Sequence, residues 1–536
     1  MRLWKFATAL LLLATASVRA DEFGDVSVEQ VPGLNLGLSC LFAEFRVENH
    51  GTAPSEVVLA YERLRAPQAV SRTLLVPPGG TVLASLYLPN AGMWGNGGKI
   101  SVTVDGKYWR GNFRMNFWKN SESLFAPNWR SSHVGATSKL EGESTLDPVQ
   151  WPSQPQCYAG LKTICLFGED LPQRETMETI ENFARLGGKL FIEFPAEASG
   201  RDGARLQVVD YPLFGGSRTE AHGNTDIPEE FLKDSPSYGR DDYGDDDDIY
   251  GFQAIRRRLP VPKVPVYWLA LLMLGFVAVI GPVNYFVLRK FHREMWILVT
   301  TPLLSLAFCA AVVVAITFNE GWRSWGAARG MTWLDQRDGL AVTKANVGLY
   351  SPLGFYRGLS FDYNELVKFP GRGDKPMDLD LTAGQHYLRS TVQPRVPLYY
   401  EVSSVSHRSE RLTFRAVEGR DELEVVNGLG ADIDRLAVMF EGGTYVSEAP
   451  VAAGARAALV RREPKNKLAM FNRNRLWSAS DYIEFGTTAP EAILQSFDDF
   501  TYVAYCAKPL FYNPGTTPDQ FDADHIVVGR FDGVEK

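Results

Sequence analysis

The residues that could carry chemistry are few and scattered. The five cysteines, Cys40, Cys157, Cys165, Cys309 and Cys506, form no CxxC pair and no spacing that would gather ligands around a metal. Cys309 lies inside an apolar run, and the other four would face an oxidising compartment in an exported chain. Cys157 and Cys165 are near enough in sequence to pair. Cys165 stands in a buried-strand pattern, however, so buried thiols are the expectation. The seven histidines, His50, His133, His222, His292, His386, His407 and His525, complete no H-E-x-x-H or other compact zinc spacing. From Asp241 to Asp248 the chain carries Asp241, Asp242, Asp245, Asp246, Asp247 and Asp248. Carboxylate oxygens of this kind suit calcium, but the spacing departs from D-x-[DN]-x-[DN]-G, so a solvated linker is expected. Trp94, Trp109 and Trp129 could stack sugar rings from loops, although core or rim packing is the ordinary role of such side chains. These patterns assign no catalytic residue, no metal ligand and no cofactor.

The strongest signals concern location. Met1-Arg2-Leu3-Trp4-Lys5, an apolar run from Phe6 to Ala14, and small residues at Val18 and Ala20 have the layout of a secretory signal peptide, expected over 1–20 with cleavage after Ala20. The apolar core is too short to span a bilayer of about 30 Å. Residues 264–288 and 295–319 contain no Asp, Glu, Lys or Arg, and each is long enough to cross with some tilt. The short loop between them, Arg289-Lys290-Phe291-His292-Arg293-Glu294, makes the helices antiparallel and puts both large flanks on one side. Its basic residues place it in the cytoplasm by the positive-inside rule. Arg256, Arg257, Arg258 and Lys263 sit on the opposite side and run against that rule, but an export signal would act before they emerge. Gly281-Pro282 permits a kink, and Asn284 is read as a hairpin-packing residue because no ionisable group lies in either span.

Hydrophobic residues make up 45% of the 536-residue chain and charged residues 22%, which allows several globular domains. The net charge of −8 argues against a nucleic-acid partner. Period-two alternation through Phe45–Asn49, Glu56–Tyr61, Thr81–Leu88 and Ile100–Val104, with turns at His50-Gly51, Pro78-Gly79 and Asp105-Gly106, predicts an immunoglobulin-like β-sandwich over 21–118. Leu161–Phe167 reads as a buried parallel strand. Asp170 is the expected helix N-cap, and Met177, Ile180, Phe183 and Ala184 share one helical face. Gly187-Gly188 stops that helix before a second buried strand, Lys189–Phe194, completing a β-α-β unit in a domain drawn at 119–235. An acidic then basic linker follows at 236–263, and the hairpin occupies 264–319. Residues 320–536 read as a β-rich, sandwich-like domain that repeats the first one's plan, including a strand ending at Asn427-Gly428 where the first ends at Asn49-His50-Gly51. The fold class expected is a multi-domain α+β membrane protein.

Trp151-Pro152, Tyr158-Ala159-Gly160-Leu161 and Gly187-Gly188-Lys189-Leu190-Phe191-Ile192 together resemble a class I glutamine-amidotransferase-like (flavodoxin-like) domain, such as occurs in uncharacterised bacterial membrane proteins. Gly281-Pro282-Val283-Asn284-Tyr285 and the basic loop after it are similar to the transmembrane signature of the same proteins. The resemblance implies a nucleophilic cysteine in a sharp turn after the Lys189–Phe194 strand. This chain has Pro195-Ala196-Glu197-Ala198-Ser199-Gly200 there, without a cysteine or a G-x-S-x-G elbow. The function expected is therefore a non-enzymatic, membrane-anchored envelope protein of the periplasm and inner membrane, acting as an interaction or scaffold module. Its expected partners are the lipid bilayer and other envelope proteins. The alternative is an extracytoplasmic enzyme or binder acting on cell-surface polysaccharide.

Overall fold

A computed structural model describes residues 21–31, 40–62, 69–89, 98–115, 123–126, 143–145, 151–158, 161–194, 205–211, 214, 216–222, 252–259, 266–320, 322–354, 357–369, 378–388, 393–417, 422–462 and 500–535. The expected signal peptide, the Asp241–Asp248 run, Trp94, Trp129 and the 195–200 stretch lie outside them.

The first eight strands build the expected sandwich. They are β1 (Asp21–Phe23), β2 (Val26–Gln30), β3 (Cys40–Asn49), β4 (Ser55–Glu62), β5 (Ala69–Val76), β6 (Thr81–Pro89), β7 (Gly98–Val104) and β8 (Lys107–Met115). One sheet has the order β1-β2-β3-β6, and β5-β4-β7-β8 lie side by side in the other. Alternate residues point inward: Ala43, Phe45 and Val47 on β3, and Ile100, Val102 and Val104 on β7, are all buried. Asp105 (φ 49°) and Gly106 (φ 78°) form the two-residue turn between β7 and β8, a conformation that favours those residue types.

The next segment is a mixed sheet with one crossover helix. Its strands are β9 (Ser123–Phe125), β10 (Glu143–Thr145), β11 (Thr163–Phe167), β12 (Lys189–Phe194), β13 (Arg205–Asp210) and β14 (Ser217–His222), in the order β10-β9-β11-β12-β14-β13. All pairings are parallel except β13 with β14. Helix α1 (Arg174–Arg185) crosses from β11 to β12 and buries Ile180 and Ala184. It does not begin at Asp170. Pro172 disfavours helical geometry at Leu171, and the extended cap position (ψ 154°) falls on Gln173. Gly187 (φ 113°) ends the helix, and the Gly188 amide donates back to the Phe183 carbonyl at 3.1 Å.

Helix α2 (Gln253–Arg258) docks on the C-terminal sheet through buried Phe252, Ile255 and Leu259, which pack with Ala327 and Tyr350. Gly348 makes the approach possible, because a Cβ there would lie 2.5 Å from Ile255 Cγ2. The apolar hairpin follows as α3 (Val266–Ala278), a π-helical turn (Val279–Val283), α4 (Asn284–Lys290) and α5 (Ile297–Glu320). Two stretches, Ala270–Lys290 and Ile297–Val314, are long and apolar enough to cross a membrane, and their surfaces are almost wholly exposed. Pro282 lacks an amide hydrogen and sits in the π turn, which absorbs the misfit. Asn284 is buried and donates to the Thr300 hydroxyl at 3.1 Å and the Thr301 hydroxyl at 3.3 Å. Phe276 stacks on Phe308 with centroids 4.2 Å apart. Both contacts are hairpin packing.

The remainder comprises β15 (Trp325–Asp335), β16 (Leu340–Tyr350), β17 (Leu359–Phe361), β18 (Leu366–Lys368), β19 (Asp378–Asp380), β20 (Gln385–Tyr387), β21 (Leu398–His407), β22 (Arg411–Ala416), β23 (Glu422–Gly428), β24 (Ile433–Phe440), β25 (Gly443–Ser447), β26 (Arg456–Arg461), β27 (Thr501–Cys506), β28 (Gln520–Arg530) and β29 (Val534–Glu535). Twelve of them form one sheet, ordered β18-β21-β16-β15-β28-β27-β24-β25-β26-β23-β22-β29. The repeat read from sequence is present as topology. The β22-β23-β26 and β25-β24-β27-β28 pairings reproduce β2-β3-β6 and β5-β4-β7-β8. The boundary at 320 is nevertheless crossed, because β17-β20-β19 join the first sandwich and β19 runs parallel to β5, with Leu379 opposite Val70.

The same side chain pins both copies. Asn49 donates to the carbonyls of Ala53 (2.8 Å) and Val76 (3.0 Å) and accepts from the Gly51 amide (2.9 Å). Asn427 donates to Ala431 (2.8 Å), Val451 (2.9 Å) and Ala452 (3.1 Å) and accepts from the Leu429 amide (3.1 Å). Each ties the turn that follows its strand to a distant segment, Val76 on β5 in one copy and Val451 in the other.

Candidate functional site

A cleft of about 480 Å³ lies between α1 and the C-terminal sheet. One wall is the face of α1 bearing Glu175, Glu178 and Asn182, and the other is the loop at Asp362–Leu366 with the end of β21 and Phe511. Helical spacing places the α1 residues one above another, and the β-α-β crossover fixes that face toward the sheet. Glu365 is the most buried carboxylate here, and burial raises its pKa above the usual range. Its two oxygens are already used: Oε2 accepts from the Asp362 amide at 3.0 Å and Oε1 from the Asn513 amide at 3.2 Å. Its backbone carbonyl takes the side-chain amides of Gln156 (2.9 Å) and Gln385 (2.6 Å). Arg408 donates from Nε to Ser406 Oγ at 3.0 Å and lies 5.7 Å from the Phe511 ring centre. These polar groups hold the cleft walls in place, and the arrangement suits binding a polar surface better than proton transfer.

A second polar cluster lies inside the C-terminal sheet. Asp524 on β28 faces Arg258 of α2 and accepts from the Tyr505 hydroxyl, with Arg329 Nε at 3.8 Å. Beside it His525, fully buried, bonds through Nε2 to Thr332 Oγ1 at 2.8 Å, and Thr332 bonds Thr343 at 2.8 Å. The Tyr512 ring stacks on the imidazole at 5.7 Å. A hydroxyl beside an imidazole is the start of a nucleophile–base pair. Here Thr332 is 0% exposed, so no substrate reaches it, and the pair is structural. Lys344 is another buried group, its ammonium 4.6 Å from the Phe214 ring centre. Burial lowers its pKa to about 7 against the opposing pull of Glu401.

His525 makes acid stability measurable. Burial lowers its folded pKa to about 3. The unfolded chain therefore binds this proton first as the pH drops below about 6.5. Its stabilising contribution is whole above that value and is lost as the pH falls toward 3, by up to about 1.4 kcal/mol per pH unit. Urea midpoints at pH 7, 5 and 4 should fall steeply, and His525→Gln should flatten the slope.

The structure does not gather the sequence candidates into one centre. Cys165 is buried in β11, and desolvation, reinforced by Glu193, raises its thiol pKa well above the ordinary value, the opposite of an activated nucleophile. It belongs to no disulfide, so the Cys157–Cys165 bridge is not formed. Trp109 is 41% exposed and packs obliquely on Phe23 at 5.9 Å, a rim aromatic. Among the described residues, no group of three or more His, Cys, Asp or Glu could hold a metal ion. Sequence reading missed Asp524 and Glu365, whose partners Arg258 and Asn513 lie far away in the chain.

No family model matches the chain, and no curated protein matches it. Among solved structures, it is similar to the yeast delta-COP-I mu-homology domain complexed with a Dsl1 WxWxV peptide, at 10% identity over 39% of this chain and 96% of that one, with a TM-score of 0.20. Bacteroides uniformis beta-glucuronidase 2, covalently bound to cyclophellitol-6-carboxylate aziridine, matches at 10% identity over 32% of this chain and 23% of its own, with a TM-score of 0.12. A beta-D-mannosidase from Dictyoglomus thermophilum matches at 10% identity over 33% and 23%, with a TM-score of 0.12. At such scores no fold or activity passes from these structures to this chain.

Proposed function

We propose that the chain is a non-enzymatic envelope protein anchored by its apolar hairpin, with both flanks on the extracytoplasmic face and acting as an interaction scaffold. The observation that carries this is the parallel pairing of β19 with β5. Segments from before and after the hairpin share one sheet, and backbone pairing of that kind requires both to fold on the same side of a bilayer. The basic loop Arg289–Arg293 then sits in the cytoplasm, as the positive-inside rule asks. The six-stranded sheet with α1 serves as a docking lobe, and its resemblance to glutamine-amidotransferase-like domains is one of architecture without the thiol chemistry. This is supported by Cys165 lying in the strand core and by the structural engagement of the cleft's most buried carboxylate.

Gentle crosslinking on intact cells, followed by detergent extraction and affinity recovery, should yield defined envelope proteins in fixed proportion to the chain. A version reduced to the hairpin should lose them. Recovery of the chain alone at every crosslinker dose would contradict the scaffold reading.

A further inference from the structure

Arg256, Arg257 and Arg258 stand on the flank where the positive-inside rule least expects them. Their place in the fold gives them a use. Trp325 lies opposite Gln520 and Tyr350, and Leu349 lies opposite Leu398, so the ends of β28, β15, β16 and β21 form one rim. At the spacing of paired strands that rim is about 15 Å across. Both ends of the apolar hairpin join it. Helix α5 ends at Glu320, five residues before Trp325, which is at most about 18 Å of chain. Leu259, packed with Ala327 and Tyr350, stands seven residues before the start of α3, at most about 25 Å. Trp322 and Tyr267 are exposed at these junctions, as aromatic residues at a membrane–water boundary are.

We infer that this rim is a second membrane contact, at which Arg256, Arg257 and Arg323 bind the phosphates of anionic lipid headgroups. Ile255 and Leu259 bury one face of α2 and leave Arg256 and Arg257 exposed, and Arg323 is exposed just before β15. Arg256 is near enough to the Tyr399 hydroxyl to oppose the rise that burial gives its pKa, which sets this guanidinium beside the start of β21. Two carboxylates of this end of the sheet are engaged locally. Asp519 accepts from the Ser324 amide at 2.7 Å and the Ser324 hydroxyl at 2.9 Å, and Asp522 lies 3.7 Å from Arg258. Arg258 is thus taken by the sheet, and its two neighbours face outward. Guanidinium groups pair with phosphate by two parallel hydrogen bonds, and each basic side chain held near an anionic surface favours it by about fivefold. The inference rests on the anchoring read above, since the hairpin is what brings the rim to the lipid.

The test places the full chain in phosphatidylcholine nanodiscs doped with a photoreactive lipid, either phosphatidylglycerol or phosphatidylcholine, carrying a diazirine at the headgroup end of one acyl chain. Adducts are mapped by peptide mass spectrometry. Peptides covering 252–259 and 322–325 should be labelled about fivefold or more in excess by the phosphatidylglycerol probe at low salt. The excess should shrink toward unity at about 0.5 M salt, where charges are screened beyond about 4 Å. R256Q/R257Q/R323Q should erase the preference with no change in melting temperature, because the three side chains are exposed. R257Q alone should reduce it about twofold or more, and decides the matter should the triple variant fail to fold. Adducts in 270–290 and 297–314 report the hairpin itself and should form with both probes. Hairpin adducts with none at the rim, equal labelling of the rim by both lipids, or indifference to salt and to the variants would overturn the lipid contact and leave the anchor standing. A hairpin without adducts would overturn both.

Discussion

Asn427→Ala lowers the stability of the C-terminal sandwich by about 3 kcal/mol. The Ala431 carbonyl loses its side-chain donor and the buried Leu429 amide its acceptor, whereas the Val451 and Ala452 carbonyls keep backbone donors in Ile433 (2.9 Å) and Ala455 (3.0 Å). Each buried group left unpaired costs about 1–3 kcal/mol, and partial relaxation trims the sum. Asn427→Asp should do no better, because it restores the acceptor and removes both amide hydrogens while adding a buried charge. Asn49→Ala should cost somewhat less, because Ala53, one of its two carbonyl partners, is exposed, whereas Ala431 is buried. Guanidinium denaturation of the detergent-solubilised chain, with limited proteolysis to locate the first cuts, checks the order. Cleavage should begin within 411–461 for the Asn427 variants and within 40–89 for the Asn49 variant. A shift below about 1 kcal/mol at Asn427 would mean that the turn is held by something else.

Asp524→Ala should cost about 3 kcal/mol and loosen α2. Asp524 lies between two guanidinium groups, and Arg329 is only 5% exposed. Removing one member of a buried ion pair leaves charge without compensation, which typically costs about 3–5 kcal/mol. The Tyr505 hydroxyl would lose its acceptor as well. Asp524→Asn keeps the shape and an acceptor for Tyr505, so it should fall between the wild type and the alanine variant. The distinguishing readout is hydrogen exchange: amides of 252–259 should lose protection in Asp524→Ala, because Arg258 no longer ties α2 to β28. Unchanged exchange there would mean that the apolar contacts of Phe252, Ile255 and Leu259 hold the helix alone.

Much of this architecture was legible in the sequence because it is local. Alternation along β3 and β7 needed only neighbouring residues, as did the 3.6-residue face of α1 and the charge-free runs of the hairpin. The helix start was misjudged because Asp170 is a good capping residue, yet Pro172 two positions on decides the backbone of Leu171. The short strands β17, β19 and β20 have three residues each, too few to show a period, so their insertion into the first sandwich left no pattern to read. Asn49 and Asn427 were visible as turn residues. Their carbonyl partners Val76 and Val451 lie 27 and 24 residues further along the chain, where turn chemistry gives no guidance. The cleft is assembled from α1, the 362–366 loop and Phe511, segments that only the folded chain brings together.

The shared sheet is tested most directly by where its two halves stand relative to the membrane. Single cysteines placed at Leu75, 72% exposed in the first sandwich, at Leu353, 53% exposed after the hairpin, and at exposed His292 in the loop would be treated with a membrane-impermeant maleimide on intact spheroplasts. Labelling of Leu75→Cys and Leu353→Cys before lysis, and of His292→Cys only after it, is the expected result. Labelling of one flank with protection of the other would contradict it, because β5 and β19 could not then pair.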